Sequence, residues 1–189
     1  MLFRSKAGET AALTFTLSEP AADFAVDDVV VSGGTLSDFV GSGTLYTAVF
    51  TPTVGSMGWG TVTVSAGRFA DAAGNVNLRG ALAPALSIDT RPPTVAITSS
   101  LQTLKAGTTA VITFRLSEPS QDFGLSDVVV TGGTLSNFAG TGAVYTATFT
   151  PTPGLVGTGV ANVTIEAGGF TDATGNANLA ATLPSRLTL

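Results

Sequence analysis

The sequence is 189 residues long, 44% hydrophobic and only 11% charged, with a net charge of −5 and 23 glycines. It holds neither cysteine nor histidine, which excludes disulfides, thiolate metal sites, cysteine nucleophiles and a Ser-His-Asp triad. Its 8 basic residues are scattered, offering nucleic acid no cationic patch, and apolar runs such as Val29-Val30-Val31 fall far short of the ~18 residues a membrane-spanning helix needs.

The opening Met1-Leu2-Phe3-Arg4-Ser5-Lys6 lacks the apolar core of a secretory signal and reads as an expression start or a fragment edge. Ala11, Leu13, Phe15 and Leu17 then alternate with small or polar neighbours, the period of a half-buried strand. Gly33-Gly34 punctuates the next runs, Tyr46 sits at a core-facing strand position, and Gly58-Trp59-Gly60 reads as a loop. At Ser87-Ile88-Asp89-Thr90-Arg91-Pro92-Pro93 two prolines stiffen the backbone and force the preceding residue into an extended form, which marks a domain boundary.

Beyond that link the sequence repeats. Residues 7–55 align without gaps onto 106–154 at an offset of 99, with 32 of the 49 positions identical. A two-residue insertion then shifts the offset to 101, pairing Phe69-Ala70-Asp71-Ala72-Ala73-Gly74-Asn75 with Phe170-Thr171-Asp172-Ala173-Thr174-Gly175-Asn176. A period near 100 residues is that of whole domains, so residues 1–89 and 90–189 are read as two copies of one all-β sandwich. Seven strands are predicted for the second copy, at 94–98, 109–117, 127–131, 134–138, 143–150, 160–166 and 179–189. The first copy has no counterpart of Pro93-Thr94-Val95-Ala96-Ile97-Thr98. It is expected to lack its first strand and to expose an edge open to strand addition, a route to homo-oligomers in which the last strand of one molecule completes another.

If the strands run up and down between two poles, the loops after strands two and six both return to the linker end. Glu118, Asp122 and Asp172 fall in those loops, Asp127 begins the next strand, and Asp89 lies in the linker. Carboxylates gathered without intervening basic residues repel, and a hard divalent cation with oxygen ligands relieves that. The Asp-x-x-Gly-Asn stretch at Asp172–Asn176 is equally an ordinary turn in which Asp bonds its own backbone. Glu19 with Asp71, or Glu118 with Asp172, read as a paired-carboxylate glycosidase site, has no cleft or aromatic platform in the sequence, so no enzyme is expected.

The linker Asp-Thr-x-x-Pro, the Ser-Glu-Pro strand end, the Asp-Val-x-Val-x-Gly-Gly-x-Leu run, the Tyr-Thr-Ala-x-Phe-Thr-Pro strand and the Phe-x-Asp-x-x-Gly-Asn-x-Asn loop together resemble bacterial Ig-like domains, which occur in long arrays in surface and type I-secreted adhesins. The resemblance implies tandem immunoglobulin-like sandwiches, an extracellular spacer or adhesive role beside neighbouring repeats of the same parent chain, and structural Ca2+ at the domain junction. The residues implied are Asp89, Glu118, Asp122, Asp172 and Asn176. An equivalent set in the first copy, Glu19, Asp23 and Asp71, has no preceding linker aspartate and is expected to be weak or empty. The rival expectation is a ligand-binding module that meets a glycan or protein through Trp59 or the loops.

Overall fold

A computed structural model describes residues 4–82, 84–157 and 159–189. The chain divides into two compact units, Met1–Arg91 and Pro92–Leu189. The boundary falls two residues beyond the predicted 89/90 division. Asp89 pairs with Met57, and the buried Thr90 donates from Oγ1 to the Thr53 carbonyl at 2.7 Å, so both residues belong to the first unit.

In the first unit the strands are β1 (Arg4–Ser5), β2 (Ala11–Ala21), β3 (Val29–Ser32), β4 (Gly34–Pro52), β5 (Met57–Val64), β6 (Gly80–Ala81) and β7 (Leu86–Asp89). In the second they are β8 (Val95–Ser99), β9 (Ala110–Leu116), β10 (Val128–Thr131), β11 (Gly133–Thr141), β12 (Val144–Pro151), β13 (Val160–Ile165), β14 (Ala181–Thr182) and β15 (Leu187–Thr188). The second unit has one sheet in the order β11-β12-β9-β8 and another in which β13 pairs with β10, β14 and β15. That division of strands is the one found in constant-type immunoglobulin sandwiches. The first unit repeats it with β2 on β4 and with β1-β7-β5-β3, β6 joining β5.

The predicted alternation is realised in burial. Along β9, Ala110, Ile112, Phe114 and Leu116 are buried while Val111 and Arg115 are exposed; β12 and β13 alternate likewise, placing Tyr145, Ala147, Phe149, Ala161, Val163 and Ile165 in one continuous core. Full burial of a side chain such as Phe149 contributes about 1.5–3 kcal/mol. The Gly-Gly pair at the start of β11 has a packing reason. A Cβ on Gly133 would come within 2.5 Å of the Phe149 ring, and Gly34 stands in the same relation to Phe50.

Two expectations change. The predicted final strand 179–189 is two short strands on β13, with the register slipping by two residues between Ala181↔Ile165 and Leu187↔Ala161. Pro184 stands in the gap, where it supplies no N–H for a ladder. Trp59 is not in a loop but within β5, opposite Ser87 and 58% exposed. The sequence reading also missed β1, whose two residues pair parallel to Ser87 and Ile88; the second unit has the matching parallel bridge Thr103↔Thr188.

Gly133→Ala is expected to destabilise the second unit by roughly 1–3 kcal/mol through overpacking against Phe149. A matching shift in a chemical denaturation midpoint, with an unchanged slope, checks this.

Candidate functional site: the acidic pole of the second unit

The pole is assembled from beneath by aromatic packing. Phe123, in the loop after β9, and Phe170, in the loop after β13, are both buried, with edge-on rings 5.0 Å apart. Phe123 also meets Tyr145 edge-on at 5.0 Å, and the Tyr145 hydroxyl donates to the Ser120 carbonyl at 3.2 Å. The two loops are therefore clamped to one end of the sandwich before any charged group is considered.

Hydrogen bonds then sew the loops together. Asp122 accepts the Thr171 N–H on Oδ1 at 3.0 Å and the Thr171 hydroxyl on Oδ2 at 2.8 Å. Ser120 Oγ, with one proton to give, lies 2.6 Å from Asp122 Oδ1 and 2.7 Å from the Thr171 carbonyl. Burial alone raises the pKa of Asp122, but the bonds from Ser120 and Thr171 outweigh it and hold the carboxyl below its ordinary value. Asn178 is fully buried. It accepts the Phe170 N–H at 2.9 Å and donates to the Glu166 and Leu179 carbonyls at 2.8 and 2.9 Å, closing the base of the loop.

The chain comes into the unit at this same end. Ser117 N–H donates to the Thr94 carbonyl at 2.8 Å, Thr94 N–H to Ser117 Oγ at 2.9 Å, and Leu179 N–H to the Pro93 carbonyl at 3.0 Å. The predicted convergence of the two loops on the linker end of this sandwich is thus what the hydrogen bonds display.

Asp172 is buried, and its turn is folded around it. Oδ1 accepts the N–H groups of Thr174, Gly175 and Asn176 at 2.7, 2.7 and 3.0 Å, while Oδ2 accepts the Asn176 side-chain amide at 2.8 Å. Gly175 takes a φ of +94°, a conformation open to glycine and strained for other residues. Glu118 and Asp172 offer carboxylate oxygens within 4.8 Å of each other. Oxygen ligands on one calcium ion lie about 2.3–2.6 Å from it, so two of them are separated by at most roughly 5 Å. The pair fits a hard, oxygen-seeking cation on distance and on chemistry, with no nitrogen or sulfur donor to favour a transition metal.

The other predicted residues have hydrogen-bond partners within their own units. Asp122 directs both oxygens to Thr171 and acts as a loop staple. Asn176 is buried and orients Asp172 through its amide. Asp127 accepts the Gly124 N–H at 2.8 Å and closes a short turn ahead of β10. Asp89, at the end of β7, accepts the Arg91 N–H at 3.3 Å within the first unit. There, Asp71 repeats the turn, accepting the N–H groups of Ala73 and Asn75 at 2.9 and 2.8 Å and the Asn75 amide at 2.8 Å. The Asn75 side chain leads these bonds in lowering its pKa. Asp23 accepts the Ala70 N–H at 3.2 Å, and Glu19 is exposed on β2. Among the described residues, Glu19, Asp23 and Asp71 form no group of three clustered carboxylates.

The sequence reading missed Ser120, Thr171 and Asn178. Ser120 and Thr171 stand where the first copy has Ala21 and Ala70, so the hydroxyl staple belongs to the second copy alone. Asn178 was legible in principle, because Asn-x-Asn closes the same loop in both copies, as Asn75–Asn77 and Asn176–Asn178.

Fold and pole together define a tandem of structural sandwich modules. A family model described as bacterial Ig-like domain matches residues 3–87 and 89–187, and the chain belongs to that family. Among solved structures it is similar to the I9-I11 tandem from titin, at 13% identity and a TM-score of 0.43, over 97% of this chain and 62% of that one. The chain therefore spans less than two thirds of that structure's length. No curated protein matches it.

The lowered pKa of Asp122 fixes the sign of a pH effect. A depressed folded-state pKa stabilises above the unfolded value of about 3.9, and that stability is lost as pH falls through the folded value. Asp122→Asn is expected to cost about 1 kcal/mol at pH 7, discounted for an exposed carboxylate. The gap between the two proteins should close below about pH 4 in denaturation series run at several pH values.

Proposed function

We propose that the chain is a spacer segment of a longer, repetitive surface or secreted adhesin, and that Ca2+ stiffens the junction between its two sandwiches. The observation that carries this reading is the Glu118–Asp172 carboxylate pair, set at the end of the second unit where Pro93 and Thr94 are stitched in. Asp89 is five residues upstream of Thr94, so the backbone between them spans no more than about 18 Å. In this reading the linker carboxylate is the ion's third ligand. The ion would supply charge neutralisation and a cross-link; the protein supplies a preformed turn, since Asp172 Oδ1 is committed to backbone N–H groups and Oδ2 to the Asn176 amide, which together fix the carboxylate's orientation.

A spacer reading also accounts for the near-duplication of the whole domain and the short Pro92-Pro93 link, which resists bending more than a Gly/Ser tether would. The net charge of −5 suits a cationic partner and an extracellular setting rich in calcium.

Millimolar Ca2+ is expected to raise the melting temperature of the second unit relative to chelator, following the linkage of ligand binding to folding. Glu118→Gln and Asp89→Asn should each erase most of that difference while leaving the chelated protein's melting unchanged. Overlapping melting curves with calcium and with chelator would remove the ion from the account.

A further inference from the structure

One outer face of the first unit carries an aromatic ring that the sandwich does not need. Gly60 and Val62 of β5 are buried, so Met57, Trp59 and Thr61 face outward, with Trp59 58% exposed. Among the described residues Trp59 joins neither hydrophobic cluster of this unit. The offset of 101 places Val160 at the same point of the second copy, opposite Thr188 as Trp59 is opposite Ser87. Val160 is 55% exposed. The same fold is thus built on valine there, and the indole's extra apolar area seals no core.

The ring stands on a stiff base. β5 is held by β7 on one side, with Trp59 opposite Ser87, and by β3 on the other, with Thr61 opposite Ser32. Beneath the face, a Cβ on Gly60 would lie 2.8 Å from the Phe50 ring, so the strand rests directly on the core. On the β3 side a Cβ on Gly33 would lie 2.8 Å from the Trp59 carbonyl. The Gly33-Gly34 stretch therefore passes close to Trp59 and carries no side chain to crowd the indole.

The remaining neighbours are polar and small. Ser32 Oγ and Thr61 Oγ1 lie 2.7 Å apart on the exposed surface. One hydroxyl proton serves that contact, and the other proton and the remaining lone pairs are open to a ligand. Ser87 supplies a third hydroxyl, and Arg4, exposed on β1 and in register with Ser87, adds a donor at the rim. An indole and Met57 rimmed by hydroxyls match a sugar ring better than a standard protein interface, which takes about 800 Å² from each partner.

We infer that Trp59 is a stacking platform for a carbohydrate, an extended chain of equatorially linked pyranoses such as a β-1,4-glucan or its N-acetylglucosamine counterpart. Such sugars present a face of axial C–H groups and a rim of equatorial hydroxyls. The C–H face covers the indole, and the rim meets Ser87, Thr61 and Ser32, which fix its orientation. This site goes beyond the spacer reading and needs no calcium.

Trp59 is the chain's single tryptophan, so its fluorescence reports the site directly. The test titrates the full chain, in chelator, with cellotetraose and with chitotetraose. At least one of them is expected to shift the emission saturably, at one sugar chain per protein. Calorimetry should show Trp59→Val, the residue the second copy uses, binding at least tenfold more weakly. Ser87→Ala, which leaves the ring in place, should weaken binding at least threefold. The proposal is overturned if neither sugar gives a saturable change, or if Trp59→Val binds as tightly as the parent. It is also overturned if the emission shifts with protein concentration alone, because the ring would then be a contact between copies.

Discussion

A loop needs something to fold around, and at this pole it is a carboxylate. One oxygen of Asp172 collects three successive backbone N–H groups of a tight turn. The turn's shape and the burial of Asn176, whose amide bonds the second oxygen, go with that choice. Asp71 makes the same arrangement in the first unit, where it is half-buried and solvent competes for the same bonds. What the second unit adds is a second clamp, Asp122 on Thr171 with Ser120 between them, which ties the two loops into one body.

The duplication separates local from long-range effects. With 32 of 49 positions identical, the two copies start from nearly the same local propensities. Yet among the described residues one has a single continuous core and the other two clusters. Sheet edges and cores are coupled because the side chains that seal a sandwich belong to strands whose backbone also caps its hydrogen-bond ladder.

The strands were legible because alternation is a local signal and the sandwich buries one face of each. The convergence of the acidic loops was legible too, since up-and-down topology fixes which loops share an end. Features that rest on a few backbone bonds were not. β1 consists of two residues with no periodicity to read, and its parallel pairing with β7 is visible only in three dimensions. The break near Pro184 follows from a ladder slip that the apolar pattern of 179–189 does not encode. Trp59 between two glycines carried a turn signature, but pairing with Ser87 overrode it. Asp122 carried a charge that suited a cation site, while its use as a staple depended on Thr171, 49 residues away.

The central claim is that an ion at the Glu118–Asp172 pair restrains the hinge at Pro92-Pro93. Spin labels placed at one exposed position in each unit, such as Thr35 and Thr134, report this through the distribution of distances between them. The account predicts a broad distribution in chelator that narrows at least twofold on adding Ca2+, with no narrowing in Glu118→Gln. A distribution of the same width in both conditions would contradict it.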